Sequence, residues 1–532
     1  MRNNVYSLIA GSCLLLATLP LHAQPGALDP TFNGTGYVID PVNDLDGGQK
    51  ILVQPDQKVL LFGSSFDAQY VARAQAFRYL PDGSPDTAFG ADGVFTYQIG
   101  QEANIYSATL TPDGKIIMVG SMYQSSVYVL LLIQLNADGT LDTDFGTMGV
   151  VTQSVGVVPE NGDDTAYDVV LDMDGTILIC GSTLDMEYIR VPLLVRFDPY
   201  GTLDGTFGDN GVVTIPGGVG SSSFKGLVLQ ADGKIVASGS FGSDLLWNEL
   251  LLARFNTDGS LDESFGEQGI VKHNHGNVDD RGEDLVLTPD GSILVAGFTV
   301  TQTYNYSALL MKFMADGSVD AGFGENGAVE EDMDNYDHAW ELALLADGRI
   351  VIAGTSGDGP PNGFDMAVWK YLPDGSRDAS FGTNGFASPV IPDRYAMIYA
   401  MDVQADGDIL VGGQARTTMN QNHFLLARLQ NELTTSITER SGNLPVEAFP
   451  NPAVAGSTVQ LRIEAEAGNV ERIELYTTDG RMVHSYSGPL AHTTLGTALG
   501  IPSDLAPGIY HVALVQRDTR STTTLIITDR NF

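Results

Sequence analysis

The sequence predicts an all-β fold: a seven-bladed β-propeller closed by an N-terminal strand, followed by a small C-terminal β-sandwich. Three observations lead there. A phrase typified by Leu203-Asp204-Gly205-Thr206-Phe207-Gly208 recurs, with its Phe at Phe32, Phe89, Phe145, Phe207, Phe265, Phe323 and Phe381, at intervals of 56 to 62 residues. An Asp-Gly turn keeps the same step at Asp56, Asp113, Asp174, Asp232, Asp290, Asp347 and Asp406, with Gln57 replacing the first Gly. Between these markers lie short β-rich runs, four to a unit, which is the pattern of a propeller blade. A fixed period of this kind marks units that bury their apolar faces only against their neighbours.

One unit shows the logic. Residues 226–230 form an apolar run, Ala231-Asp232-Gly233-Lys234 a tight turn, and residues 235–239 a second run. After a polar loop come residues 250–255, a turn at Thr257-Asp258-Gly259, the Phe-Gly phrase and a last strand at 269–272. Asp and Gly tolerate the positive φ that tight hairpins need. The first two runs of each copy read as continuously apolar, as in strands covered on both faces, whereas the third alternates. Its penultimate residue is basic in six copies (Arg78, Arg196, Arg254, Lys312, Lys370, Arg428), Gln134 being the exception. Each base lies shortly before the Asp of its phrase, which predicts a ring of ion pairs bracing the turn between strands three and four.

The two ends account for closure. The seventh copy stops near Gln430 without a Phe phrase, and the missing piece, residues 28–40, sits near the start of the chain. The expected arrangement has residues 37–40 completing the seventh blade, with Asp29 facing Arg428, so that no sheet edge stays open.

Composition narrows the partners. With 27 Lys+Arg against 66 Asp+Glu the formal net charge is −39. That excess repels phosphate backbones, so nucleic acid is excluded as an expected partner, and cations or basic polymers fit better. At 43% hydrophobic and 17% charged residues the chain still has the makings of a core. Residues 1–23 read as a signal peptide: Arg2, then an apolar stretch, then Leu21-His22-Ala23 before cleavage between Ala23 and Gln24. No later segment is apolar for long enough to span a membrane as a helix. Cys13 falls within the signal and Cys180 is left without a partner, so a disulfide framework is not expected.

On the Pro112–Lys115 stretch, its variant at Gln230–Lys234 and the seven Phe phrases, residues 24–433 resemble delta-60 repeats, bacterial propeller-type units to which no activity is attached. Residues 434–445, rich in Thr, Ser and Gly, read as a linker. Residues 446–532 resemble the type A sorting domain of the type IX secretion system, on Phe449-Pro450-Asn451-Pro452, on Ile473–Arg481 and on Leu505–Tyr510. That resemblance implies a β-sandwich, the secretion machinery as a partner, and a secreted or outer-surface location in a Gram-negative bacterium. The ending at Thr522–Ile527 lacks the lysines that many such tails carry.

Candidate sites belong on the face that varies between copies, because function usually sits on variable loops of a fixed scaffold. The inter-blade loops are acidic, and Asp163, Asp164, Asp279, Asp280 and Asp337 suggest an acidic face for a protein, glycan or cation. Asp332, Asp334 and Asp337 form a Ca²⁺ candidate without the Gly and distal Glu of an EF-hand, and no cofactor is otherwise required. His273, His275 and His338, if their loops converge near the axis, would be a catalytic or metal alternative. Cys180, at the end of a buried second strand, reads as packing. Trp247, Trp340, Trp369, Tyr304 and Tyr306 offer aromatic surface for a carbohydrate. The leading expectation is a secreted or cell-surface, non-enzymatic propeller that binds a partner. The alternative is an extracellular hydrolase or lyase acting on polysaccharide.

Overall fold

The computed structural model describes residues 24–431, interrupted at short loop tips, and the strand segments of residues 446–528. Residues 1–23, with Ala23, for which a signal peptide is expected, and residues 434–445, for which a linker is expected, lie outside the described residues. Two compact units divide at Leu433 and Thr434. No helix occurs among the described residues.

In the first unit seven four-stranded antiparallel blades succeed one another. Their inner strands are Leu45–Val53, Glu102–Leu110, Thr165–Leu171, Ser223–Leu229, Asp279–Leu287, His338–Leu344 and Arg394–Val403. Each inner strand touches the inner strands of both neighbouring blades, so the seven surround a common axis. The seventh blade takes its outer strand from the start of the chain. Tyr37–Asp40 pairs antiparallel with Asn422–Leu429, Tyr37 opposite Ala427 and Asp40 opposite Phe424. A single bridge, Leu45 to Asn422, then ties the seventh blade to the first.

Burial corrects one reading of the strands. The second and third strands are the continuously buried ones, as in Ile177–Leu184 and Asn248–Phe255. The inner strand is the one that alternates, as in Glu102–Leu110, because one of its faces looks into the axis and not onto another blade. The Phe of each phrase is 0–1% exposed in all seven copies. It lies under the turn of the next blade: a Cβ on Gly139 (φ +83°) would come 2.8 Å from the Phe89 ring. Only glycine satisfies both that backbone conformation and that contact.

The ring of ion pairs also stitches blade to blade. Arg78 Nε donates to Asp86 (2.8 Å), Arg196 to Asp204 (2.8 Å) and Arg254 to Asp262 (2.7 Å). Lys312 lies 3.0 Å from Asp320 and Lys370 3.5 Å from Asp378. Arg254 also donates to the Ala315 carbonyl of the following blade at 2.6 Å and covers the Phe265 ring. Where Gln134 breaks the pattern, Lys115 reaches Asp142 at 2.7 Å. At the joint, Arg428 Nε donates to Asp29 (2.8 Å), Nη1 to the Pro81 carbonyl (2.8 Å) and Nη2 to Thr31 (2.8 Å). Pro25 and Asn33 complete the circle, since Gly382 N–H donates to Pro25 and Asn33 N–H to Asp82.

The seventh blade carries a weak point. After the first turn of a blade, Lys58, Lys115, Lys234 and Arg349 each lie 2.7–3.2 Å from the phrase Asp. The seventh blade has Asp408 at this position. Burial, and then repulsion from Asp406 and Asp29, push its carboxyl up to about 6. A folded value above the unfolded one, about 4, means that this group's favourable contribution is complete below about pH 4 and is lost as pH rises through about 6. Asp408→Lys is therefore expected to stabilise the propeller by about 1 kcal/mol at pH 7.5, after allowance for solvent screening, and by less at pH 5. Thermal unfolding at the two pH values checks it; an equal gain at both would contradict the titration argument.

The second unit contains two sheets. One orders Val446–Phe449, Thr458–Ile463, Gly496–Gly500 and His492–Thr493. The other orders Ala453–Val454, Thr519–Thr528, Gly508–Gln516, Arg472–Thr477 and Met482–Ser487.

Candidate axial binding site

Every inner strand carries a β-bulge at the same place. The register slips at Gln49, Tyr106, Tyr167, Lys225, Glu283, Trp340 and Tyr399, each seven residues before the Asp of its first turn. A bulge leaves one residue unpaired and re-aims its side chain. Its cause sits across the ladder, in a glycine of the second strand: Gly63, Gly120, Gly181, Gly239, Gly297, Gly354 or Gly413. A Cβ at any of them would lie 1.8–2.0 Å from a carbonyl oxygen of the inner strand. Glycine thus admits the bulged backbone, and the bulge delivers one side chain per blade to a common level around the axis.

These seven side chains, with Lys50, Ser107, Asp168, Asp284 and Glu341 beside them, line a cavity of about 240 Å³. In blade order the ring reads amide, tyrosine, tyrosine, lysine, glutamate, tryptophan, tyrosine. Tyr106 and Tyr167 lie 5.4 Å apart between centroids, and Trp340 and Tyr399 5.8 Å apart. The Lys225 ammonium sits over the Tyr167 ring, 3.4 Å from its centroid. Beneath this level Lys50 bonds Glu341 at 2.8 and 3.2 Å. Asp168 accepts from Ser107 (2.8 Å) and from the Leu227 N–H of the next blade (3.0 Å). Asp284 accepts from the N–H groups of Leu285 and Leu342, both at 2.8 Å. Both carboxylates therefore also brace adjoining blades.

The electrostatics follow from enclosure. Burial opposes the charge on Lys50, but Glu341, Asp168 and Asp284 around it outweigh burial and hold the ammonium charged. Burial, followed by repulsion from Asp168, pushes Asp284 up to about 6. Burial likewise raises Glu283. Among the described residues three other grooves occur: two, of about 640 and 310 Å³, are lined by recurring turns and Phe phrases, and one of about 830 Å³ is lined by such a turn together with the Thr183–Glu187 loop.

The loop carboxylates fall elsewhere than the sequence suggests. Asp164, Asp280 and Asp337 are 0% exposed and Asp279 is 6% exposed, so they do not form an open acidic face. Each of the first three caps its own crossover loop. Asp164 accepts from Val155 N–H and Thr183, Asp280 from His275 N–H and Thr299, and Asp337 from the N–H groups of Met333 and Asp334. Asp279 accepts from Asn248 and Arg281. Asp163 pairs with Arg190. Asp332 and Asp334 are exposed and turn to Asn305 and Ser356, and no group of three or more His, Cys, Asp or Glu able to hold a metal occurs among the described residues.

The histidines separate. His273 ends an outer strand and lies 6.3 Å from His275, which faces Glu330 on the next outer strand. His338 begins an inner strand and stacks on Phe298 at 4.3 Å. Burial, then Arg281, lowers His338 to about 4, so its ring is neutral. Trp369 belongs to the core, and Cys180 lies within a buried second strand, not at its end. Tyr304 is exposed against Trp247, while Tyr306 stacks on Tyr336 at 4.8 Å. Among the proposed aromatics only Trp340 belongs to the axial ring. The remainder of the ring was open to sequence reasoning as a column seven residues before each first turn, marked by the glycine across the ladder.

Seven segments, residues 54–89, 111–145, 174–207, 230–265, 288–323, 345–381 and 404–434, match the β-propeller domain of unknown function DUF5122. Residues 447–528 match the secretion system C-terminal sorting domain. No curated protein matches the chain. Solved structures similar to it include a PL25 ulvan lyase (11% identity, TM-score 0.43, 75% of this chain and 96% of that one). A GH43 endo-arabinanase from Bacillus licheniformis gives 10% identity and a TM-score of 0.29, over 60% and 92%. PorZ of Porphyromonas gingivalis, a surface component of the type IX secretion system, gives 9% identity and a TM-score of 0.17, over 93% and 100%. Likenesses this distant carry no argument about activity. The sorting domain marks a secreted or cell-surface protein of a Bacteroidetes-type bacterium and implies contact with the type IX machinery. The chain thus combines a seven-repeat β-propeller domain with a type IX C-terminal sorting domain.

Proposed function

We propose that the protein is a secreted or surface-displayed, non-enzymatic binding propeller that takes a small ligand, or the end of a larger one, into its axial pocket. One observation carries this reading: the bulge geometry recurs in all seven blades, while the side chain it presents is of five kinds, tyrosine in three blades and a different residue in each of the other four. A scaffold repeated for stability has no need to vary at one enclosed level. The mixture there of aromatic faces with an amide, a lysine and a glutamate suits a ligand having both apolar and polar faces. Screening the purified protein against glycans, amines and simple cations tests it. Binding that Trp340→Ala weakens at least about tenfold is expected; binding indifferent to Trp340 would overturn the assignment.

A second reading, catalysis on polysaccharide, would place proton transfer on Asp284, which lines the cavity and whose carboxyl burial raises above its usual range. Turnover of a polysaccharide that Asp284→Asn abolishes, with binding retained, would establish it in place of the first.

A further inference from the structure

The charges in the axial pocket are unevenly matched. Lys50 is committed to Glu341, and Lys225 to the face of Tyr167. Asp168 and Asp284 spend their oxygens on Ser107 and on backbone N–H groups. Among the described residues Glu283 accepts no hydrogen bond and forms no ion pair, although Lys225 and then Arg281 favour its charge through space and it lines the cavity deep in the disc. On the blades that follow it stand Trp340 and Tyr399, whose ring faces no cation occupies. On the blade before it, the pocket already holds an ammonium against an aromatic ring, that of Lys225.

Resting on the axial binding role above, we propose that the pocket recognises an organic ammonium group, a quaternary alkylammonium, held between the Glu283 carboxylate and the rings of Trp340 and Tyr399. Ring quadrupoles attract cations, and walls of several aromatics with one carboxylate suit a soft, weakly hydrated ammonium. A metal ion would need several free oxygens at once, and the neighbouring carboxylates have already given theirs. An anion would need a free base, and both lysines are engaged. The cavity, at about 240 Å³, lies below the ~300–1,000 Å³ typical of drug-sized ligands, so one head group fits and the remainder of a longer amine would extend along the axis.

Choline and its uncharged tert-butyl isostere, titrated calorimetrically into the full chain with tryptophan fluorescence as a second readout, provide the test. Choline is expected to bind at least about tenfold more tightly than the isostere. Glu283→Gln should remove most of that preference, and Trp340→Ala should remove binding. Lys225→Gln should strengthen binding several-fold, a gain that damage to the fold would not produce. Tyr304→Ala, on the exposed rim, should leave affinity unchanged. Equal binding of the two ligands, or a Glu283→Gln variant that keeps the preference, overturns the proposal. Failure of choline together with a glycan whose binding needs Trp340 sinks the ammonium assignment and leaves the axial site standing. If no ligand responds to Trp340→Ala, both fall.

Discussion

Asp29→Ala is expected to cost the propeller about 3–5 kcal/mol, the range for removing one member of a buried ion pair. Arg428 is 8% and Asp29 3% exposed, so the substitution strands a guanidinium inside the joint without the carboxylate it bonds. Burial alone would raise the Asp29 carboxyl, but the Thr31 N–H and hydroxyl and then Arg428 hold it below its usual value. Its contribution is therefore present above about pH 4 and fades as pH falls through the lowered folded value. Deleting residues 24–40 should be worse. It removes Phe32 from the core and leaves the Asn422–Leu429 strand with one row of backbone groups unpaired, an invitation to aggregate. Urea unfolding and size-exclusion chromatography report both effects, with Asp82→Ala as the exposed control, expected to change stability by less than about 1 kcal/mol. An Asp29→Ala protein that unfolds with the wild type would show that the joint is held by strand pairing alone.

Gly354→Ala should combine a stability loss with a functional one. The new Cβ would sit 1.8 Å from the His338 carbonyl oxygen, and neither partner is a flexible side chain. The backbone must move, at a cost of about 3 kcal/mol or more, and the bulge at Trp340 moves with it. Ligand binding in the pocket should fall even where the protein still folds. Gly205→Ala, with nothing within 4 Å of its added Cβ, should leave both properties unchanged. Retained binding in a folded Gly354→Ala protein would mean that the bulge does not set the position of Trp340.

Much of the fold could be read from the chain because a repeat restates its own constraints. The Phe phrase, the Asp-Gly turns and the Arg–Asp spacing each appear several times, and an incomplete seventh copy points to residues 28–40 for its missing piece. The site was harder to read, for a physical reason. Loop carboxylates such as Asp164 and Asp280 look solvated in sequence, yet a loop that crosses between blades needs acceptors for its own N–H groups. The axial side chains have no distinctive type, since Gln49, Tyr106 and Glu283 share only a position. Comparing copies column by column finds them; scanning for familiar motifs does not. His273 and His338 look related in sequence, but one closes the outer strand of the fourth blade and the other opens the inner strand of the sixth.

On the axial role proposed above, the seven bulges make recognition modular. A blade contributes a single letter to a word of seven, and the glycine opposite keeps that letter in place whatever it is. Substituting Gln49 or Tyr399 would respell the specificity without touching the Arg–Asp clasp or the Phe packing, so new ligands become reachable through single changes that the scaffold scarcely registers.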